Sequence, residues 1–125
     1  MYTYTIATVD DIKLLFEKRL IERESDPNYK NYLDMYFDDY ISGRSIIFAV
    51  KKEETPIGSI NLEFCKLNDI AESNVSKMKY CYLSTFKIEK KYEGQGHISK
   101  LIKLAENVAC ELGYHYAIIA GEETI

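Results

Sequence analysis

The sequence predicts an α+β (mixed α/β) chain of three layers, with helices on both faces of one sheet, in the order β-α-α-β-β-β-α-β. Two stretches with helical apolar spacing near the start, and one near the end, alternate with five short β-rich runs. A strand, a glycine-rich turn, a helix and a strand close the chain, so the last two strands should be parallel. The middle strands, joined by short turns, should be antiparallel. At 125 residues, the chain is expected to be a single domain, 1–125, able to bury a core without metals or a disulfide framework.

Residues 2–7 (YTYTIA) alternate and read as the first strand. Thr8 then suits a helix N-cap, and Asp10 and Asp11 suit the positive end of the helix that follows to about Glu24. Its apolar stripe is Ile12, Leu15, Phe16 and Leu20. Pro27 breaks the chain. The second helix, about 28–42, carries Tyr29, Tyr32, Leu33, Tyr36, Phe37 and Tyr40 at i, i+3, i+4, i+7, i+8 and i+11, a stripe expected to serve the core first, and Gly43 closes it. Ser45–Lys51 and Ile57–Cys65 form a hairpin across Glu53–Pro56, with Ile60, Leu62 and Phe64 on one face. Residues 66–77 are polar and read as a loop, and 79–88 as a longer strand. Ile98, Leu101, Ile102, Ala105, Val108, Ala109 and Leu112 trace one face of the last helix, which Gly113 ends before a strand at 114–120.

Sixteen Lys and Arg against 20 Asp and Glu leave a net charge of −4, a poor balance for neutralising nucleic-acid phosphates. No apolar run approaches the ~18 residues of a membrane helix, and the start lacks the basic-then-apolar pattern of a secretory signal. The expectation is a cytoplasmic protein that binds neither nucleic acid nor membrane. Cys65, Cys81 and Cys110 are odd in number and lack a C-x-x-C, so they suggest neither disulfides nor a metal site. Each lies among apolar residues and is expected to be buried.

Gly94-Gln95-Gly96 stands between a strand and a helix start. Glycines there let a ligand approach the backbone, and the helix's first N–H groups and dipole favour an anion such as phosphate. No G-K-[ST] follows, and the third glycine of a dinucleotide fingerprint is missing.

This order of elements, together with YLSTFKIEKKYEGQGHISKLIKLAENVACELGY, resembles the GNAT N-acetyltransferase superfamily over nearly the whole chain. The resemblance implies an acetyl-CoA-dependent N-acetyltransferase acting on a primary amine of a small molecule or a protein lysine. It implies that Phe86, Lys87 and Ile88 lie where the fourth strand splays to bind the pantetheine arm. Glu93, Gly94, Gln95, Gly96, His97, Ile98 and Ser99 would lie at the pyrophosphate loop, whose family pattern is [RQ]-x-x-G-x-[GA]. Two registers fit. The helix stripe places Glu93, Gly96 and Ile98 on the pattern; the other register reads Lys91, Gly94 and Gly96. In the first, Glu93 takes the usual Arg/Gln place, and a carboxylate about 4 Å from a phosphate charge costs roughly 1 kcal/mol in water and ~4 kcal/mol at partial burial. Ile98 replaces a small residue, and Lys90, Lys91 and Lys100 are near enough in sequence to offset Glu93.

A glutamate on the fourth strand serves some family members as base. The matching place is near Tyr82, the candidate catalytic residue, with Glu63 on the neighbouring strand as the fallback, otherwise a solvated carboxylate. His97 would reach the loop ligand or cap exposed surface, and His115 reads as structural. The resemblance also implies a fold truncated after its fifth strand, without the family's next helix, its general-acid tyrosine and two more strands. A fifth strand near a sheet edge invites pairing, so a homodimer through that C-terminal edge is expected. The rival to an active enzyme is a degenerate module working through protein contacts or needing a partner chain.

Overall fold

The computed structural model describes residues 1–64, 80–114 and 116–119. Its five strands are β1 (Tyr2–Ile6), β2 (Ser45–Lys52), β3 (Thr55–Glu63), β4 (Tyr80–Ile88) and β5 (Tyr116–Ile119). They lie in chain order, β1-β2-β3-β4-β5. The first three pairings are antiparallel and β4–β5 is parallel, as the sequence predicts. Helices α1 (Val9–Glu22) and α2 (Tyr29–Ile41) cover one face, and α3 (His97–Glu111) covers the other. The mixed α+β, three-layer reading holds.

Period-two alternation sorts the strands between the two layers. Phe48, Val50, Ile60, Leu62, Cys81 and Leu83 face α3 and pack with Leu101, Ala105 and Ala109. Ile47 and Ala49 face the other way and pack with Ile12, Leu15, Phe16 and Leu33. Thr8 caps α1 in a reciprocal box: its hydroxyl accepts from Asp11 N, and the Asp11 carboxylate accepts from Thr8 N. Asp11 also receives Lys51 Nζ at 3.2 Å, which ties α1 to β2.

Several boundaries and burials differ from expectation. Helix α1 ends at Glu22, and β3 begins at Thr55, because Pro56 sits beside the hairpin turn where a strand tolerates it. The tyrosine stripe of α2 is shallow. Leu33 is its buried residue, whereas Tyr29, Tyr36, Phe37 and Tyr40 are half-buried and Tyr32 is exposed. Cys81 is buried as expected, but Cys110 is exposed on α3. The loop read at 66–77, Cys65, His115 and the stretch after Ile119 lie outside the described residues.

Candidate functional site

Strand β4 carries one more residue than β3 across its middle. Ser59 pairs with Lys87 but Asn61 pairs with Ser84, so Thr85 and Phe86 share one place opposite Ile60. Thr85 has φ 57°, a left-handed conformation that a β-branched residue adopts only under strain. From Phe86 in this bulge the strand runs on to Lys87 and Ile88, after the last described β4–β5 pair at Leu83. Phe86 and Ile88 turn to the α3-side core, while Lys87 turns to α1 and pairs with Glu22 at 3.3 Å. Strand β3 approaches this stretch closely because Gly58 has no side chain: a Cβ there would overlap Ile88 Cδ1 and lie 2.8 Å from Lys87 O.

After a short 3-10 turn at Lys90–Tyr92, Gly94 and Gly96 both take left-handed backbone, φ 80° and 83°. Both are exposed, and a Cβ at either would meet nothing within 4 Å. Open space therefore lies over the loop. Gly96 caps α3, and its carbonyl accepts the first helical bond, from Lys100 N at 3.3 Å. The N–H groups of His97, Ile98 and Ser99 thus have no acceptor within the helix. Glu93 is exposed, and Ile98 packs in part against the α3-side core. Tyr2 holds the loop by donating from its OH to Gln95 Oε1 at 3.2 Å.

His97 is neither a ligand-facing side chain nor a surface cap. It is 3% exposed, hydrogen-bonded through Nδ1 to Tyr4 OH at 2.8 Å, with Tyr2 edge-on at 4.5 Å. Burial, then the charge of Lys100, lowers its pKa below the usual imidazole value. Its Nε2 is buried without a hydrogen-bond partner.

On the α1/α2 face, the structure joins the two acid–base candidates. Glu63 and Tyr82 are directly opposed across β3 and β4, and Tyr82 is half-buried. The Glu63 carboxylate is not solvated, as had been expected; it is 8% exposed and accepts from Ser84 Oγ at 2.5 Å. Asn61 and Ser59 continue the polar row along β3, both buried. Alternation marked Ser59, Asn61 and Glu63 as the polar face of the strand, but not that helices cover it. Arg19 on α1 donates from Nη2 to Ser59 Oγ at 2.5 Å and was missed. The signal was its place in the 12-15-16-19 helical stripe, where a charged residue must be buried.

A model of the acetyltransferase (GNAT) family matches residues 9–124. The chain belongs to the GNAT acetyltransferase family. Acetyl transfer is the chemistry of that family. No curated protein matches the chain. Among solved structures, it is similar to one described as "predicted acetyltransferase with acetyl-CoA" from Clostridium acetobutylicum, at 20% identity over 96% of this chain and 80% of that one, TM-score 0.73. The ribosomal-protein-alanine N-acetyltransferase of Brucella melitensis shares 12% identity over 95% and 79% of the two chains, TM-score 0.69. A transcriptional regulator from Bacillus halodurans shares 15% over 99% and 84%, TM-score 0.73. At such identities the likeness establishes the GNAT fold alone. In this GNAT chain α3 starts at His97 and Leu101 is fully buried, in keeping with the apolar stripe read for this helix. No described helix is long and apolar enough to cross a membrane.

Proposed function

We propose that this GNAT chain moves the acetyl group of acetyl-CoA to a primary amine by direct attack. The observation that carries the reading is the pair of exposed left-handed glycines, Gly94 and Gly96, with open space above them at the start of α3. Acetyl-CoA supplies the acetyl group as a thioester. Backbone N–H groups of Gly94 through Ser99 would receive its pyrophosphate, since each anionic oxygen prefers several fixed donors. Glu93 points to solvent and Ile98 partly into the core, which reduces the repulsion and crowding that these residues threaten. Phe86, Lys87 and Ile88 would offer backbone groups to the pantetheine arm, and the strained Thr85 re-aims β4 at this point.

Glu63 is the better proton acceptor for the incoming ammonium. It is a carboxylate aligned by Ser84, whereas the facing Tyr82 hydroxyl is a weak base near neutrality. Tyr82 then borders the acceptor. The exposed Cys110 thiol on α3 suits a reducing cytoplasm. Self-association through the β5 edge of the described sheet accompanies this reading, and light scattering at tens of micromolar giving a monomer mass counts against it.

The test is a thermal shift with ~1 mM acetyl-CoA against adenosine diphosphate. A dissociation constant of about 10 µM gives about 2.7 kcal/mol of linkage, hence a rise of roughly 10 °C for a chain this size. A shift with acetyl-CoA and none with the nucleotide supports the donor site, and acetylation of members of an amine panel completes it. No shift and no turnover refute the reading in favour of a non-catalytic module.

A further inference from the structure

The guanidinium of Arg19 is buried between α1 and the sheet, 3% exposed, yet no carboxylate among the described residues pairs with it. Glu22, the carboxylate whose charge reaches it, is engaged by Lys87. One N–H of its fork donates to Ser59, and the Phe16 ring lies 5.6 Å away. Removing such a cation from water without an anionic partner costs several kcal/mol. Burial accordingly lowers its pKa, with Tyr29, Glu22 and Tyr36 opposing that effect. Farther along the same face, Asn61 Oδ1 and Ser45 Oγ are buried without a hydrogen-bond partner. Ser45 lies opposite Glu63, and Asn61 opposite Ser84. A row of buried polar groups with a cation that no described carboxylate pairs at one end and two orphaned oxygens along it is not satisfied from within, and at its other end stands the Glu63 carboxylate, which accepts from Ser84. It is well matched to a molecule carrying both charges.

We propose that the acceptor is an amine that also bears an anionic group, carboxylate or phosphate, which Arg19 binds while the amine lies toward Asn61 and Glu63. The proposal rests on the acetyltransferase reading and specifies its substrate class. Ser59, Asn61 and Glu63 are two and four residues apart, so strand rise sets the amine-to-anion separation at about 7–13 Å. A planar five-donor fork suits either anion bidentately.

The experiment compares 6-aminohexanoate and 6-aminohexyl phosphate with hexylamine, on the wild type, Arg19→Met and Arg19→Lys. Turnover with acetyl-CoA is read alongside calorimetric binding of each amine without acetyl-CoA. The wild type should prefer at least one anionic amine by about tenfold or more, the worth of a charge-assisted contact, and the headgroup preferred identifies the anion. Arg19→Met should erase the preference, bringing binding and turnover of the anionic amines down to the hexylamine level. Arg19→Lys should restore part of the preference. Equal use of all three amines by the wild type overturns the proposal while leaving acetyl transfer intact. Binding of an anionic amine that needs Arg19, without any turnover, sinks the enzymatic reading and keeps the anion site. Loss of the fold in Arg19→Met together with no wild-type preference assigns Arg19 to structure alone and overturns the proposal.

Discussion

Replacing Gly58 with alanine probes how closely the site is built. The new Cβ would overlap Ile88 Cδ1, lie 2.8 Å from Lys87 O and 3.1 Å from Ile88 Cα. Ile88 is itself buried, so its side chain has little room to turn away, and the carbonyl and Cα belong to the backbone. Strand β4 must therefore move off β3 where it emerges from the bulge. Overpacking of this kind costs about 1–3 kcal/mol. At about 4 °C per kcal/mol for a chain of this length, the midpoint should fall by roughly 4–12 °C. The displaced stretch is Lys87–Ile88, so the extra stabilisation by ~1 mM acetyl-CoA should shrink as well. Differential scanning fluorimetry of both proteins, with and without acetyl-CoA, reads both effects. A variant melting within about 1 °C of the wild type would show that β3 and β4 have slack, and the reasoning from close approach would be wrong.

Three other perturbations test separate parts. Glu63→Gln keeps the bond from Ser84 but removes the proton acceptor, so kcat should fall about 10²–10⁴-fold with little change in midpoint or acetyl-CoA shift; an unchanged rate would move the base elsewhere. Gly96→Ala forces a side chain to φ 83°, at about 1–2 kcal/mol, and should weaken acetyl-CoA more than it lowers the apo midpoint in proportion; undiminished affinity would separate the loop from the donor. Tyr4→Phe leaves His97 buried without its partner and should cost about 1–3 kcal/mol in urea denaturation. The pKa of His97 is lower in the fold than its unfolded value near 6.5, so the unfolded chain takes the proton first. Its contribution is therefore present above about pH 6.5 and declines as pH falls toward the folded value, and His97→Leu should flatten that window in a midpoint-against-pH series.

The architecture was legible because two independent periods agreed with it: alternation in the strands and 3.6-residue spacing in the helices. The loop was equally legible, since glycines at positive φ before a helix leave a mark in sequence. The α1/α2 face was not. Glu63 reads as solvent-facing on its own strand, yet the fold leaves it 8% exposed. Arg19 was passed over because a charged residue in an apolar stripe looks like an interruption, and only the position of Ser59, 40 residues away, makes it a contact. His97 shows the same limit. Residues 97 and 4 are separated by 93 positions, and local pattern carries no information about which strand closes over a helix start.

Tyr2 and Tyr4 bring the edge strand β1 onto the glycine loop and the first turn of α3. Edge strands fray more readily than interior ones, ordinarily without consequence for distant chemistry. Here fraying releases Gln95 and uncovers His97, so the stiffness of the loop depends on the other margin of the sheet. Reciprocity then applies: whatever free energy β1 lends to an occupied loop, an occupied loop returns to β1. If the loop binds the donor as proposed, sequence changes in the first six residues would tune its affinity without altering any residue of the loop itself.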